Sequence, residues 1–274
     1  MDLTHPRKIV TLPFYKAGQR NFYLVGFSLG LAGLLWYLFA RLGGFPAFIL
    51  PPPGLVWERL LQALSSGSLL RHSAVTLGEV LVGLGLGVSA ATSLGYLLAK
   101  SRAFERLLAP YIVASQSVPV VAIAPLLVIW FGPGLFSKVL ICALIVFFPV
   151  LVNTIVGLRS VPEELNELMR SLQATRWQTF SSLEVPAALP IFLGGLRIGA
   201  TLSVIGAVVG EFVGADRGLG FLINVGRGQY DTALVFVAVF SLVGMAMALY
   251  GLVVWLEARL LSWQQRPESA HFSR

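Results

Sequence analysis

The chain has 274 residues, 56% of them apolar before its 28 glycines are counted, and only 12% charged. A soluble domain carries roughly 25% charged residues and needs a polar coat, so this composition excludes a soluble fold. The net charge of +7 comes from basic residues scattered among apolar runs without a basic stripe, which assigns them to membrane topology and not to nucleic acid.

In chain order, six stretches are long and apolar enough to cross about 30 Å of hydrocarbon, which takes about 20 residues of helix. They are Tyr23–Ala40, Ala74–Leu98, Leu108–Phe131, Leu135–Gly157, Leu189–Val213 and Ala233–Trp255. None alternates with a period of two, so helices are predicted over a barrel. The first lacks a small-residue cleavage site and reads as a retained anchor. The chain therefore divides into an N-terminal segment (1–22), a membrane domain (23–257) and a tail (258–274). After the first span, Pro51-Pro52-Pro53 stops a helix, and Val56, Leu60, Leu61 and Leu64 then form one apolar face. That face is expected to lie along the outer membrane surface. Glycines at four-residue spacing (Gly26/Gly30, Gly83/Gly87, Gly195/Gly199, Gly206/Gly210) indicate close helix packing, or a hinge or narrow pore wall.

With the N-terminus inside, cytoplasmic segments hold thirteen Lys and Arg residues and outer segments six, Arg197 lying within a span. This favours both termini in the cytoplasm. The long connection at 158–188 is then cytoplasmic. Polar residues within spans need a reason, since an ion at a span centre costs roughly 2.5–3.5 kcal/mol. Arg197 is near enough to a span end to snorkel, and Glu79 reads as interfacial. Glu211 can face a pathway or pair with Arg217, and Ser115, Gln116, Ser117 and Asn153 are pathway candidates or interhelical hydrogen-bonding groups. Trp36, Trp130 and Trp255 sit near span ends as interface anchors. The single cysteine, Cys142, and three dispersed histidines (His5, His72, His271) form no disulfide framework and no metal-ligand set. No catalytic residues, metal or cofactor are expected.

The 158–188 connection carries the most information. Ser160 with Glu163 and Thr175 with Gln178 are two capping-box pairs, predicting two short helices. Along the first, Leu165, Leu168, Met169 and Leu172 share a face while Glu163, Glu164, Glu167 and Arg170 occupy others. Trp177 and Phe180 give the second its apolar edge, and Pro186 and Pro190 are expected to interrupt the chain at the membrane. Helices that lie on lipid are usually basic, and an acidic face is repelled by the inner leaflet. Docking on a protein is favoured.

This segment resembles the EAA loop of binding-protein-dependent ABC importer permeases. That loop pairs Glu-Ala-Ala, three residues, Gly, nine residues, then Ile-x-Leu-Pro; here the register reads Glu167-Leu168-Met169, Gln173 and Leu183-Glu184-Val185-Pro186. Leu168 and Met169 replace the alanines and Gln173 the glycine, where a left-handed backbone would be strained. The stretch from Ser115 to Gly132 is similar to the third span of permeases for nitrate, sulfonates, taurine and thiamine precursors. Phe147–Thr154 and Val209–Gly220 look closest to members handling pyrimidine thiamine precursors or riboflavin.

The resemblance implies an all-α polytopic membrane protein with about six transmembrane helices and a cytoplasmic coupling-helix loop. Glu163, Glu164, Glu167, Arg170, Ser171, Leu172, Gln173, Ala174 and Arg176 would contact a separate ABC ATPase subunit. It also implies a second permease copy and an outer solute-binding protein. ATP would be bound by the partner, since the lysines are Lys8, Lys16, Lys100 and Lys138 and none follows a glycine as a phosphate-cradling loop requires. The competing reading is an ion- or proton-coupled secondary transporter using Glu211 and Glu79.

Overall fold

The computed structural model describes residues 20–262. The predicted N-terminal segment and all but the start of the tail lie outside them. In order the elements are α1 (Arg20–Leu42), α2 (Pro53–Ser65), α3 (Ser68–Lys100), α4 (Arg102–Gln116), α5 (Val120–Phe131) and α6 (Leu135–Arg159). Then come α7 (Glu163–Ser171), α8 (Arg176–Thr179), a π-helical turn (Phe180–Glu184), α9 (Val185–Gly214), α10 (Leu219–Gly228) and α11 (Thr232–Leu260).

The long helices α3, α6, α9 and α11 are each long and apolar enough to span a membrane. The predicted third span is not one rod. It is α4 and α5, bent by 95° at a short break. The cause is Pro119, which has no amide to donate and drives Val118 out of the helical region; Pro110 and Pro125 are accommodated inside the two halves. The fifth span corrects the expectation in the other direction. Pro186 and Pro190 do not interrupt it, and helical structure runs through from Arg176 to Gly214. Proline leaves carbonyls of the preceding turn without donors, and the wider π turn at 180–184 sits where the ladder must absorb that loss.

α6 is the central rod, packed mainly between α3 and α9. Its neighbours approach through glycine. A Cβ on Gly87 would lie 2.7 Å from the Ala143 carbonyl oxygen, and one on Gly206 2.8 Å from the Cys142 Cα. Backbones meet there and no side chain fits, so these pairs serve packing. Gly26 and Gly30 differ, with open space beside both. The α3 contacts climb α6 in the same direction and the α9 contacts in the opposite one, so Lys100, Arg159 and Val185 end up at one end of the bundle.

At the other end α2 packs on α11. Val56 is buried and Leu60 half-buried against the core, while Leu61 and Leu64 are exposed, so the predicted apolar face is shared between core and surroundings. Arg59 pairs with Asp231 at 2.8 Å, and Asp231 accepts from the Leu234 amide at the start of α11. Trp36 stacks on Phe236 with ring centroids 5.2 Å apart and donates to the Pro51 carbonyl. It is packed against α11 rather than anchored at an interface.

Candidate functional site

The connection from α6 to α9 forms an elbow at the Lys100 end of the bundle. Ser160 does not open the first loop helix. It closes α6, its hydroxyl donating to the Gly157 carbonyl at 2.7 Å, and α7 starts three residues later at Glu163 with Pro162 as its cap. The Ser160–Glu163 box is therefore not formed: Ser160 is the helical end of α6, and the cap position of α7 falls to Pro162. The Thr175–Gln178 box is formed in full: the Gln178 amide donates to Thr175 Oγ1 at 3.3 Å and the Thr175 amide to Gln178 Oε1 at 2.8 Å.

Between the two helices the chain reverses at Gln173, which adopts φ +53°. Its amide donates to Arg170 O at 2.9 Å and the Ala174 amide to Met169 O at 3.0 Å. This pair of bonds is a Schellman stop, a position normally held by glycine. Gln173 takes the glycine's conformation and carries the Cβ cost.

α7 turns Asn166 and Met169 toward the rest of the chain and leaves Leu165, Leu168 and Leu172 outside. Leu172 is 67% exposed and Trp177 71%. Glu163, Glu164 and Glu167 are also exposed, and Ser171 with them. Arg170, Ala174 and Arg176 instead line a cavity with Lys100 on the side away from the ridge. The elbow is braced from beneath: Lys100 Nζ at the end of α3 pairs with the buried Glu184 of the π turn, and Arg159 closes a two-toothed ion pair on Glu105 with both bonds at 2.7 Å.

The pathway candidates are not brought together. Ser115, Gln116 and Ser117 are exposed at the 95° corner, where the Ser115 and Ser117 hydroxyls donate to carbonyls of the preceding turn (Ile112 and Val113). Asn153 sits on the α6–α9 seam, its Nδ2 donating to Pro149 O at 2.8 Å and its side chain against Gly195. Its role is packing. Glu211 is fully buried and does not pair with Arg217, which instead lies 3.6 Å from Asp216. Arg197 does not merely snorkel; it pairs with Glu257 of α11 at 2.9 Å.

Glu211 belongs to a polar cluster missed in the chain order. Thr76 of α3 donates to Glu211 Oε1 at 2.6 Å. The first amides of α10 are then capped by side chains from two other helices: Gly218 N donates to His72 Nδ1 at 2.9 Å, Leu219 N to Thr76 Oγ1 at 2.8 Å, and Gly220 N to Glu211 Oε2. A carboxylate at a helix start is favoured by the dipole and by the unpaired amides there. Gly218 has φ +114°, and a Cβ on it would overlap the Glu211 carboxylate. Beside them Glu79, 1% exposed, pairs with Lys138 at 3.0 Å. Glu79 is thus interior, not interfacial. The signal available in the sequence was that His72, Thr76 and Glu79 stand at i, i+4 and i+7, one face of a helix.

Residues 83–262 match the family of binding-protein-dependent transport system inner membrane components. The chain belongs to that permease family. It is 49% identical over 237 residues to the riboflavin transport system permease protein RibX of Chloroflexus aurantiacus, covering 86% of this chain and 88% of the relative. It is 38% identical to the formylaminopyrimidine transport permease protein ThiX of Halalkalibacterium halodurans, covering 85% and 92%. Among solved structures, an inward-facing MetNI methionine ABC transporter chain superposes with a TM-score of 0.60 at 21% identity, covering 72% of this permease and 96% of that chain. This likeness shows a shared fold. The permease is thus the membrane component of an ABC importer, and its relatives are named as transport proteins, not enzymes.

Proposed function

We propose that the permease lets ATP hydrolysed on a separate cytoplasmic subunit drive uptake of a flat, polar heterocycle, and that α7 is where the force enters. The observation that carries this reading is the ridge of Leu165, Leu168 and Leu172, uncovered among the described residues and held at an elbow that turns on the left-handed backbone of Gln173. Leaving three leucines in water has a cost, which a covering protein removes. The rim of Glu163, Glu164 and Glu167 would set register and partner choice.

Lys100 and Glu184 tie the elbow to α3 and α9, so a push on α7 is delivered to two spans at once. Alternation between inward-open and outward-open states would follow as rigid-body rocking of those spans against a second copy of the permease. The exposed corner at Ser115–Pro119 suits the seam between copies. An outer solute-binding protein would deliver the cargo, with both permease termini in the cytoplasm. The similarity to riboflavin and formylaminopyrimidine permeases favours those ring systems over sulfonates. The buried state of Glu79 and Glu211, each with fixed partners, favours this reading over proton coupling.

The test is Glu167→Lys. The variant is expected to insert and remain monodisperse while co-purification of the ATPase subunit and riboflavin uptake fall at least tenfold. Unchanged assembly and uptake would remove α7 from the docking surface.

A further inference from the structure

Behind the elbow, on the side of α7 opposite the leucine ridge, two cavities meet. One, of about 600 Å³, is bounded by Tyr96, Lys100, Arg170, Arg176 and Glu184. The other, of about 640 Å³, is a groove beside Ser93, Tyr96, Leu97, Trp177 and Phe180. Tyr96 and Arg176 line both, so the two adjoin at these side chains, and they differ in chemistry. Each falls within the size range of ligand sites, roughly 300–1,000 Å³.

Charge in the first cavity is unbalanced. Lys100 is taken by Glu184, but neither Arg170 nor Arg176 has an acidic partner among the described residues. Two guanidinium groups facing one space match a phosphate diester, which accepts forked hydrogen bonds. The second cavity shares Arg176 with the first but holds no other charged side chain. Its walls are a T-shaped pair of Tyr96 and Phe180 rings, 5.4 Å apart, and the tilted Trp177 ring 5.6 Å from Phe180. Tyrosine and tryptophan of this kind settle at the headgroup level of a bilayer. Both cavities lie at the end of the α3 span.

We propose that the joined cavities hold one anionic phospholipid of the adjoining leaflet, its phosphate against Arg170 and Arg176 and an acyl chain along the Tyr96–Trp177–Phe180 groove. A free phosphate would use only the first cavity and a neutral lipid only the second. The anionic lipid uses both. Under the orientation proposed above this is the cytoplasmic leaflet, the one enriched in anionic headgroups. Because the phosphate would bridge α7 and α8 across Gln173, the lipid would stiffen the elbow and make coupling depend on membrane composition.

The experiment is native mass spectrometry of the full-length chain in neutral detergent, titrated with phosphatidylglycerol or phosphatidylcholine. The native chain is expected to retain phosphatidylglycerol at least tenfold better. R170Q/R176Q is expected to reduce that preference below twofold. Ser93→Phe, at an exposed position in the groove, is expected to weaken retention of the lipid while gel filtration stays unchanged. R102Q/R106Q, an equal charge loss at exposed positions of α4, is expected to change nothing. Phosphatidylglycerol retention unaffected in R170Q/R176Q, or lost equally in R102Q/R106Q, would overturn the proposal. Displacement by glycerol 1-phosphate at the same concentration as the lipid would also overturn it, since that assigns a free-phosphate site. The Glu167→Lys variant separates this from ATPase docking, because it should lose the ATPase and keep the lipid.

Discussion

Two regions of this permease invert the usual relation between polarity and burial. In the cluster around α10, charge is inside: Glu79, Lys138 and Glu211 are buried among spans. At the elbow, oil is outside: Leu165, Leu168 and Leu172 stand exposed at the Lys100 end of the bundle. The first region is closed but for Glu79 Oε2, a buried oxygen without a partner among the described residues. Thr76, His72 and three amides of α10 take up the hydrogen bonds that a low-dielectric interior makes costly to leave unmade. The second is open, since nothing among the described residues covers its ridge. A cluster whose members satisfy nearly all of one another's hydrogen bonds marks structure, and an uncovered apolar ridge marks an absent partner. The same rule assigns opposite roles to two polar-apolar anomalies of one sequence.

The comparison can be broken hardest at Glu211. Replacing it with Ala removes the acceptor for Thr76 and the Gly220 amide and leaves Lys138 with one fewer neighbouring carboxylate. A loss of about 3 kcal/mol or more is expected, by analogy with other buried charged hydrogen-bond networks. The measurement is the fraction of monodisperse chain surviving a heating series. If Glu211→Ala keeps the native profile and instead abolishes transport, the cluster is a functional site and the contrast fails.

Leu168→Ala with Leu172→Ala should behave the other way. Loss of about 2 kcal/mol of binding to the ATPase subunit, a roughly thirtyfold weaker pull-down, is expected with thermal survival unchanged. A drop in thermal survival would mean that the ridge packs within the permease itself.

The finest adjustment is Gln173→Gly. A non-glycine residue in the left-handed region costs roughly 1 kcal/mol, so the elbow should become more resistant to limited proteolysis by up to that amount. Faster cleavage at the elbow would show that the side chain of Gln173 makes a contact worth more than the backbone strain.

How far the sequence reached differs between these regions. Spans with long apolar runs were legible because hydrocarbon thickness sets helix length whatever the neighbours are. The ridge on α7 and the Thr175–Gln178 cap were legible because both depend on residues within one or two turns. The Ser160 box failed for a local reason of a different kind, since Ser160, still helical, ends α6 instead of opening α7. The 95° corner at Pro119 was hidden by its own apolarity: hydropathy sees an unbroken run where the backbone has a stop. Glu79 and Glu211 were visible as anomalies, but their partners Lys138 and Thr76 lie 59 and 135 residues away.

Composition and periodicity alone therefore settled that this is a membrane-embedded helical chain with an amphipathic elbow, because those properties arise from each segment meeting its solvent. Which buried charges neutralise one another, and which apolar face is left without cover, was decided only when α3, α6 and α9 closed on each other. Burial is a property of the assembled pack of helices, and no single helix contains it.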